Sequence, residues 1–225
     1  MSTSAHSAAR LVSKVPSRRQ QYSASTKRAL VEVAEELFTE HGYAATSLDA
    51  IVAGARVTKG ALYHHFSGKQ ALFEAVFERV EADASAAIRQ RVKAHDDSWE
   101  QATAGLQSFL EVVRRPTYRR IVIQEGPAAL GYERFREREE RSTFAEVTEI
   151  VRSVLAVGAL GLDEEMVQTF SRIFFGAMSS AGESVSSSED PDAASERVEV
   201  AIDYILAGLR GLIESRATLD PDPVD

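Results

Sequence analysis

Apolar residues recur three and four positions apart along almost the whole chain, and this spacing admits one class of fold. Leu30, Val33, Ala34, Leu37 and Phe38 fall at i, i+3, i+4, i+7 and i+8, one stripe of an α-helix. The period returns at Leu48, Ile51, Val52 and Ala55, and then from Leu72 and Phe73 through Val80 to Ile88. It returns again from Trp99 to Val113, ended by Pro116, and briefly at Tyr118, Ile121 and Val122 before Gly126-Pro127. Three more stripes run from Phe144 to Leu155, from Met166 to Ala181 and from Val198 to Ile213. No segment keeps the alternation of a strand, and there is no internal repeat. The pattern predicts an all-α fold of about nine helices.

The punctuation between stripes fits helix ends. Gly42 suits the left-handed position that closes the first helix. Ser47 or Thr46 can cap the second and Thr58 the third, each through a side-chain oxygen. Ser67 and Gln70 match the S-x-x-Q capping box, which would start a fourth helix near Gly68.

Composition excludes several functions. The chain has no cysteine, so thiolate chemistry and disulfides are out. No run approaches the ~18 apolar residues of a membrane span. The first residues lack the apolar core of a signal peptide, so the expected address is cytoplasmic, with no membrane partner. Net charge is −8, yet it is unevenly spread. Up to Lys69 there are nine basic and five acidic residues; beyond it, 17 and 29. The first acidic residue is Glu32. A basic module on an acidic body is the simplest description. The expected division is a flexible basic arm over 1–24, a helix-turn-helix domain over 25–69, a helical body over 70–216 and a disordered acidic tail over 217–225.

The stretch "VTKGALYHHF", Val57 to Phe66, carries the most chemistry. On a helical wheel at about 100° per residue, Lys59, Gly60, Tyr63 and His64 share one sector of roughly 140°. Leu62, Phe66, Ala61 and His65 share the other. Adjacent histidines diverge by about 100°, whereas zinc helices pair histidines at i, i+4. No nucleophile–base pair or glycine-rich phosphate loop accompanies them. Neither a metal site, a catalytic site nor a cofactor is therefore expected. A glycine inside a short helix costs about 1 kcal/mol against alanine, and close approach of another backbone would justify it. A two-turn helix after a short loop is the layout of a helix-turn-helix.

Residues Lys27 to Phe77 resemble the DNA-binding domain of TetR-type transcriptional regulators. The resemblance rests on "AEELFTEHGYAATSLDAIVAGARVTKGALYHHFSGKQALFEAV", above all "LF-x-x-HGY", "TS", "LYHHF" and the closing "K-x-x-L". It departs from the family at Arg56, where glycine is usual; if that turn needs a positive φ, Arg56 is strained. The resemblance implies a dimeric regulator, a repressor in this reading, that binds a palindromic double-stranded operator and is released from it by a small, mostly apolar effector bound in its helical body. It implies that Lys59, Gly60 and Ala61 meet base edges. It also implies that Thr46, Ser47, Arg56, Thr58, Tyr63, His64 and Lys69 reach the phosphate backbone. Caps alone would also explain the hydroxyls. A helical ligand- or protein-binding module with a vestigial helix-turn-helix is the alternative, against which the acid-free arm, Gly60 and Lys69 count.

For the body the resemblance implies a ligand pocket and a two-fold interface. Phe109, Tyr118, Gln124, Tyr132, Phe135, Phe144, Phe170, Phe174 and Met178 are the candidate lining, suited to a mostly apolar ligand. The segment "FSRIFFGAMSSAG" is apolar on nearly two faces and rich in small residues. With Ala201, Tyr204, Ile205, Gly208 and Leu212 it could build a four-helix bundle between two copies.

Overall fold

The computed structural model describes residues 18–141, 143–157 and 162–219. Among these there is no strand. The head consists of α1 (Arg18–Ala45), α2 (Leu48–Gly54) and α3 (Lys59–His65), and α4 (Lys69–Val92) carries it into the body. The body comprises α5 (Ser98–Arg114), α6 (Pro116–Tyr118), a π-helical turn (Arg119–Glu125) and α7 (Gly126–Leu130). It continues with α8 (Tyr132–Arg141), α9 (Thr143–Val157), α10 (Glu164–Ser186) and α11 (Pro191–Leu219). Helix α4 packs along α5, and α9 along α10.

The stripes of α1, α2, α4, α5 and α9 point inward. That of α10 does not, since its buried side is Val167, Ser171, Phe175 and Val185 while Met166 and Ile173 are exposed, and in α11 Ile205 and Leu212 are exposed. Leu30, Ala34 and Phe38 of α1, Ile51 of α2, Leu62 of α3 and Phe73 of α4 are all fully buried together. The rings of Phe38 and Tyr43 meet Phe73 edge-on at 5.3 and 5.1 Å. Ser47 caps α2 by accepting from the Ala50 N–H, and Thr58 caps α3 by accepting from the Ala61 N–H.

The capping box does not form. The cap of α4 falls on Gly68, with no side-chain hydrogen bond, one residue after Ser67. Gln70 instead donates to the Ala129 carbonyl at 3.0 Å, tying α4 to α7. Gly126-Pro127 does not stop a helix either; it opens α7, since proline is tolerated in a first turn. Helices α7 and α8 have no counterpart among the expected nine. In α8, "YERFREREER", one apolar side chain turns inward, so no stripe exists to be seen. Phe135 packs on Phe77 at 6.0 Å, and Arg138 pairs with both Glu74 and Glu78 of α4. Residues 18–24, expected in the arm, belong to α1, and 217–219, expected in the tail, belong to α11. The rest of the arm and tail, 1–17 and 220–225, lies outside the described residues.

A bend in α1 joins head to body. Gly42 adopts φ 80°, ψ 169°. The Thr46 hydroxyl closes the bend by donating its one proton to the Gly42 carbonyl (2.8 Å), shared with the Leu37 carbonyl at 3.1 Å. A Cβ on Gly42 would overlap Arg120 and lie 2.5 Å from Glu125 Oε1, two partners in an ion pair on the π turn. Glycine is needed here for its φ; the overlap falls on the ends of two flexible side chains, which can swing aside. Gly42→Ala should therefore lower stability by about 1–3 kcal/mol in urea titration, mainly through backbone strain. Gly60→Ala, whose Cβ would meet nothing closer than Thr58 Oγ1 at 3.8 Å, should leave stability unchanged or raise it by up to ~1 kcal/mol.

Candidate nucleic-acid interface and ligand cavity

Helix α3 lies on α1 and α2 with Leu62 and Phe66 buried and Ala61 and His65 half-buried. Its solvent side presents Lys59, Gly60, Tyr63 and His64, and the Tyr63 ring is 59% exposed. Each candidate side chain has a distinct local state. Lys59 pairs with Asp49 of α2 at 2.7 Å, and that hydrogen bond holds its ammonium above the ordinary lysine range. Lys69 donates to the Ala44 carbonyl at 3.1 Å, with its Nζ 4.6 Å from the Tyr43 ring centroid. An ammonium has three donors, so this pinning leaves two for an anion. Ser47 and Thr58 use their oxygens as cap acceptors, which leaves each hydroxyl proton to donate outward.

Thr46 does not belong to this surface. It is 3% exposed, and its hydroxyl is committed to the α1 bend. His65 sits below the ordinary histidine range, first through burial and then through His64 and Lys27. No group of three or more His, Asp or Glu side chains is arranged to hold a metal ion among the described residues. No helix among them is long and apolar enough to cross a membrane.

Arg56 occupies the turn between α2 and α3 at φ 55°. It is the one non-glycine residue at positive φ among the described residues, and its side chain is exposed. The sequence flagged this position as a departure, and the backbone now shows the strain.

The body encloses a cavity of about 400 Å³ among α4, α5 and α8–α11, extending to the π turn. Phe109, Tyr118, Tyr132, Phe135, Phe170, Phe174 and Met178 line it. Two expected residues do not. Gln124 points outward from the π turn, its Oε1 accepting from Arg120. Phe144 stacks edge-on against Phe175 at 5.4 Å instead. Aliphatic side chains missed by the sequence reading, such as Val122, Ile150, Val154 and Leu206, complete the wall. Nothing in the sequence separates them from ordinary core. The polar groups are Glu146, paired with Arg89 at 2.6 Å, Glu183, Arg136, Ser179, Ser180, Tyr132 and the Tyr118 hydroxyl. That hydroxyl donates to buried Glu81 of α4 at 3.0 Å.

Comparison with known proteins agrees with both halves. A profile of bacterial regulatory proteins of the tetR family matches residues 30–76. A profile of the tetracyclin repressor-like C-terminal domain matches residues 99–209. Together they span most of the chain. The chain belongs to the TetR family. It is 33% identical over 108 residues to the transposon Tn10 TetC protein of Escherichia coli, covering 48% of this chain and 54% of that one. It is 32% identical over 84 residues to the transcriptional activator FasR of Mycolicibacterium smegmatis, covering 37% and 38%. The chain thus spans about half the length, or less, of these relatives. The crystal structure of a TetR-family regulator from Pectobacterium atrosepticum superposes with a TM-score of 0.71 at 26% identity, covering 86% of this chain and 97% of that one. One from Streptomyces coelicolor shares the fold, with a TM-score of 0.66 at 20% identity and coverage of 87% and 96%.

In this TetR-family head, Arg56→Gly should relieve the left-handed strain. The expected gain is at most about 1 kcal/mol, because glycine also loosens the unfolded chain. A urea midpoint that falls would mean that Arg56 makes contacts which outweigh its backbone.

Proposed function

We propose that this chain is a dimeric, sequence-specific DNA-binding regulator, a repressor released by a small, mostly apolar ligand. The observation that carries the reading is α3: a short exposed helix with a cation, a hydroxyl, an imidazole and, at Gly60, bare backbone on one side. Such a helix fits the major groove. Lys59, Gly60 and Ala61 meet base edges or thymine methyls. Tyr63, His64, Ser47, Thr58 and Lys69 donate to phosphates. Lys59 exchanges Asp49 for DNA, and an exposed ion pair of this kind is displaced at small cost. Arg56 contacts a phosphate, which gives the strain at its backbone a purpose. No observation favours the vestigial alternative.

Dimerisation places two heads on a palindrome. The outer sides of α10 and α11 support it: Ile173, Tyr204, Ile205 and Leu212 are exposed, beside the small Gly176, Ala177 and Gly208. A contiguous apolar surface of this kind marks an interface. Two copies would form a four-helix bundle across the two-fold axis. The ligand occupies the 400 Å³ cavity. Helix α4, 24 residues and so about 36 Å long, links that cavity to the head. A small shift at its body end changes head separation, which must match half-sites about 34–36 Å apart. The coupling expected is about 1–3 kcal/mol.

Gly60→Leu should abolish operator binding in a gel-shift assay with no loss of thermal stability. A retained shift, or a melting temperature several degrees lower, would defeat the proposed docking. Ile205→Asp combined with Leu212→Asp should sediment as a monomer. A dimer that survives both changes would place the interface elsewhere.

A further inference from the structure

The amino-terminal turns of α1 overhang the head. Leu30 is the first fully buried side chain of that helix, and of the residues before it with a described side chain only Thr26 is buried. Of the described side chains from Arg18 to Ser25 all but Ser23 are exposed, so burial gives little reason for their being there. Their chemistry does. Arg19, Ser23 and Lys27 stand at i, i+4 and i+8 and so share one face. That face looks across an open cleft at His65, near the carboxy-terminal end of α3. Lys27 extends its ammonium over the Phe66 ring at 5.7 Å, which fixes its direction. No carboxylate among the described residues pairs with Arg19 or Lys27, although the chain as a whole carries −8. Tyr22 stands beside this face, 77% exposed.

We infer that this cleft is a second anion-binding site, which holds a phosphate of double-stranded DNA outside the stretch read by α3. The inference rests on the proposed DNA-binding function. Arg19 and Lys27 supply the charge, and Ser23 and the ring N–H of His65 supply neutral donors. In this proposal the phosphate is set apart from the base pairs met by the first turn of α3. Lys59 and Gly60 open α3, whereas His65 closes it about 9 Å further along the axis, and Arg19 lies about 12 Å beyond Lys27 along α1. A contact there has no base edge to read. It adds affinity that is independent of sequence and steep in salt.

The test uses the full-length chain and a duplex selected by it from a randomised pool. One form of the duplex keeps ten fixed base pairs on either side of the selected core, and the other is trimmed to the core. Binding is measured by fluorescence anisotropy across a salt series. Arg19→Ala with Lys27→Met, which keeps the Lys27 stem over Phe66, should weaken binding to the flanked duplex about tenfold. The slope of log affinity against log salt should become shallower by about 2. On the trimmed duplex the wild-type chain should fall to the level of the variant. Ser23→Glu, which brings a carboxylate into the cleft while leaving Arg19 and Lys27 in place, should give an equal or larger loss on the flanked duplex alone. Wild-type affinity and slope in these variants would overturn the cleft, as would equal losses on both duplexes. A wild-type chain that enriches no sequence from the pool would overturn the regulator reading itself, and the cleft with it.

Discussion

Helix α4 is buried along most of its length, and the rest of the molecule is arranged around that fact. Leu72, Phe73, Val76 and Phe77 are fully enclosed where it leaves the head, and Val80, Ala84 and Ile88 stay buried in the body. One continuous apolar cluster therefore runs from Leu30 and Leu62 through α4 to Phe109 and Val185. Each large side chain in it contributes on the order of 1.5–3 kcal/mol, more than any exposed ion pair nearby. A head joined to its body by such a core cannot reorient on a loop; it moves only if α4 moves. The polar ties gather at the same end: Lys69 to Ala44, Gln70 to Ala129, and Arg120 with Glu125 against Gly42.

The same helix borders both sites. Ile88 lines the cavity, while Lys69 begins α4 beside the bend that sets the direction of α1. The π turn lies between them, with Val122 and Ile123 on the cavity side and Arg120 on the α1 side. π turns interrupt the regular α ladder and concentrate at functional positions. This one places an element of the cavity wall directly against the glycine at the bend of α1. Charge adds direction. The first 69 residues carry nine basic and five acidic side chains and the remainder 17 and 29, so under the proposed function the acidic body would repel a polyanion.

Much of the candidate interface was legible because local rules govern it. Ser47 and Thr58 cap their helices as their positions indicate, and Lys59, Gly60, Tyr63 and His64 share the outer sector that a 100° period assigns them. Arg56 was visible as a departure, and its positive φ follows from the turn it occupies. The misreadings share another cause. Thr46, Gln70 and Gln124 carry side chains suited to several roles, and their partners are Gly42 and Leu37, Ala129, and Arg120. The partner of Gln70 lies 59 residues away, where no local pattern could anticipate it. Even the near partners of Thr46 depend on the bend at Gly42, where the chain lies against Arg120 and Glu125.

The sequence by itself determined the helical class, the stripes that α1, α4, α5 and α9 turn inward, the caps of α2 and α3, and the change from a basic first 69 residues to an acidic remainder. All of these follow from spacing, propensity or charge within a few residues. Only the tertiary structure decided that α8 is a helix, since its single inward aromatic and its Arg138 pairs depend on α4 being beside it. It alone decided which aromatics face empty volume, because a side chain lining a cavity and one filling a core have the same chemistry and the same period. It also decided that Arg19, Ser23 and Lys27 meet His65 across a cleft, a convergence of two helices whose crossing is set by Leu30, Leu62 and Phe66 in the shared core.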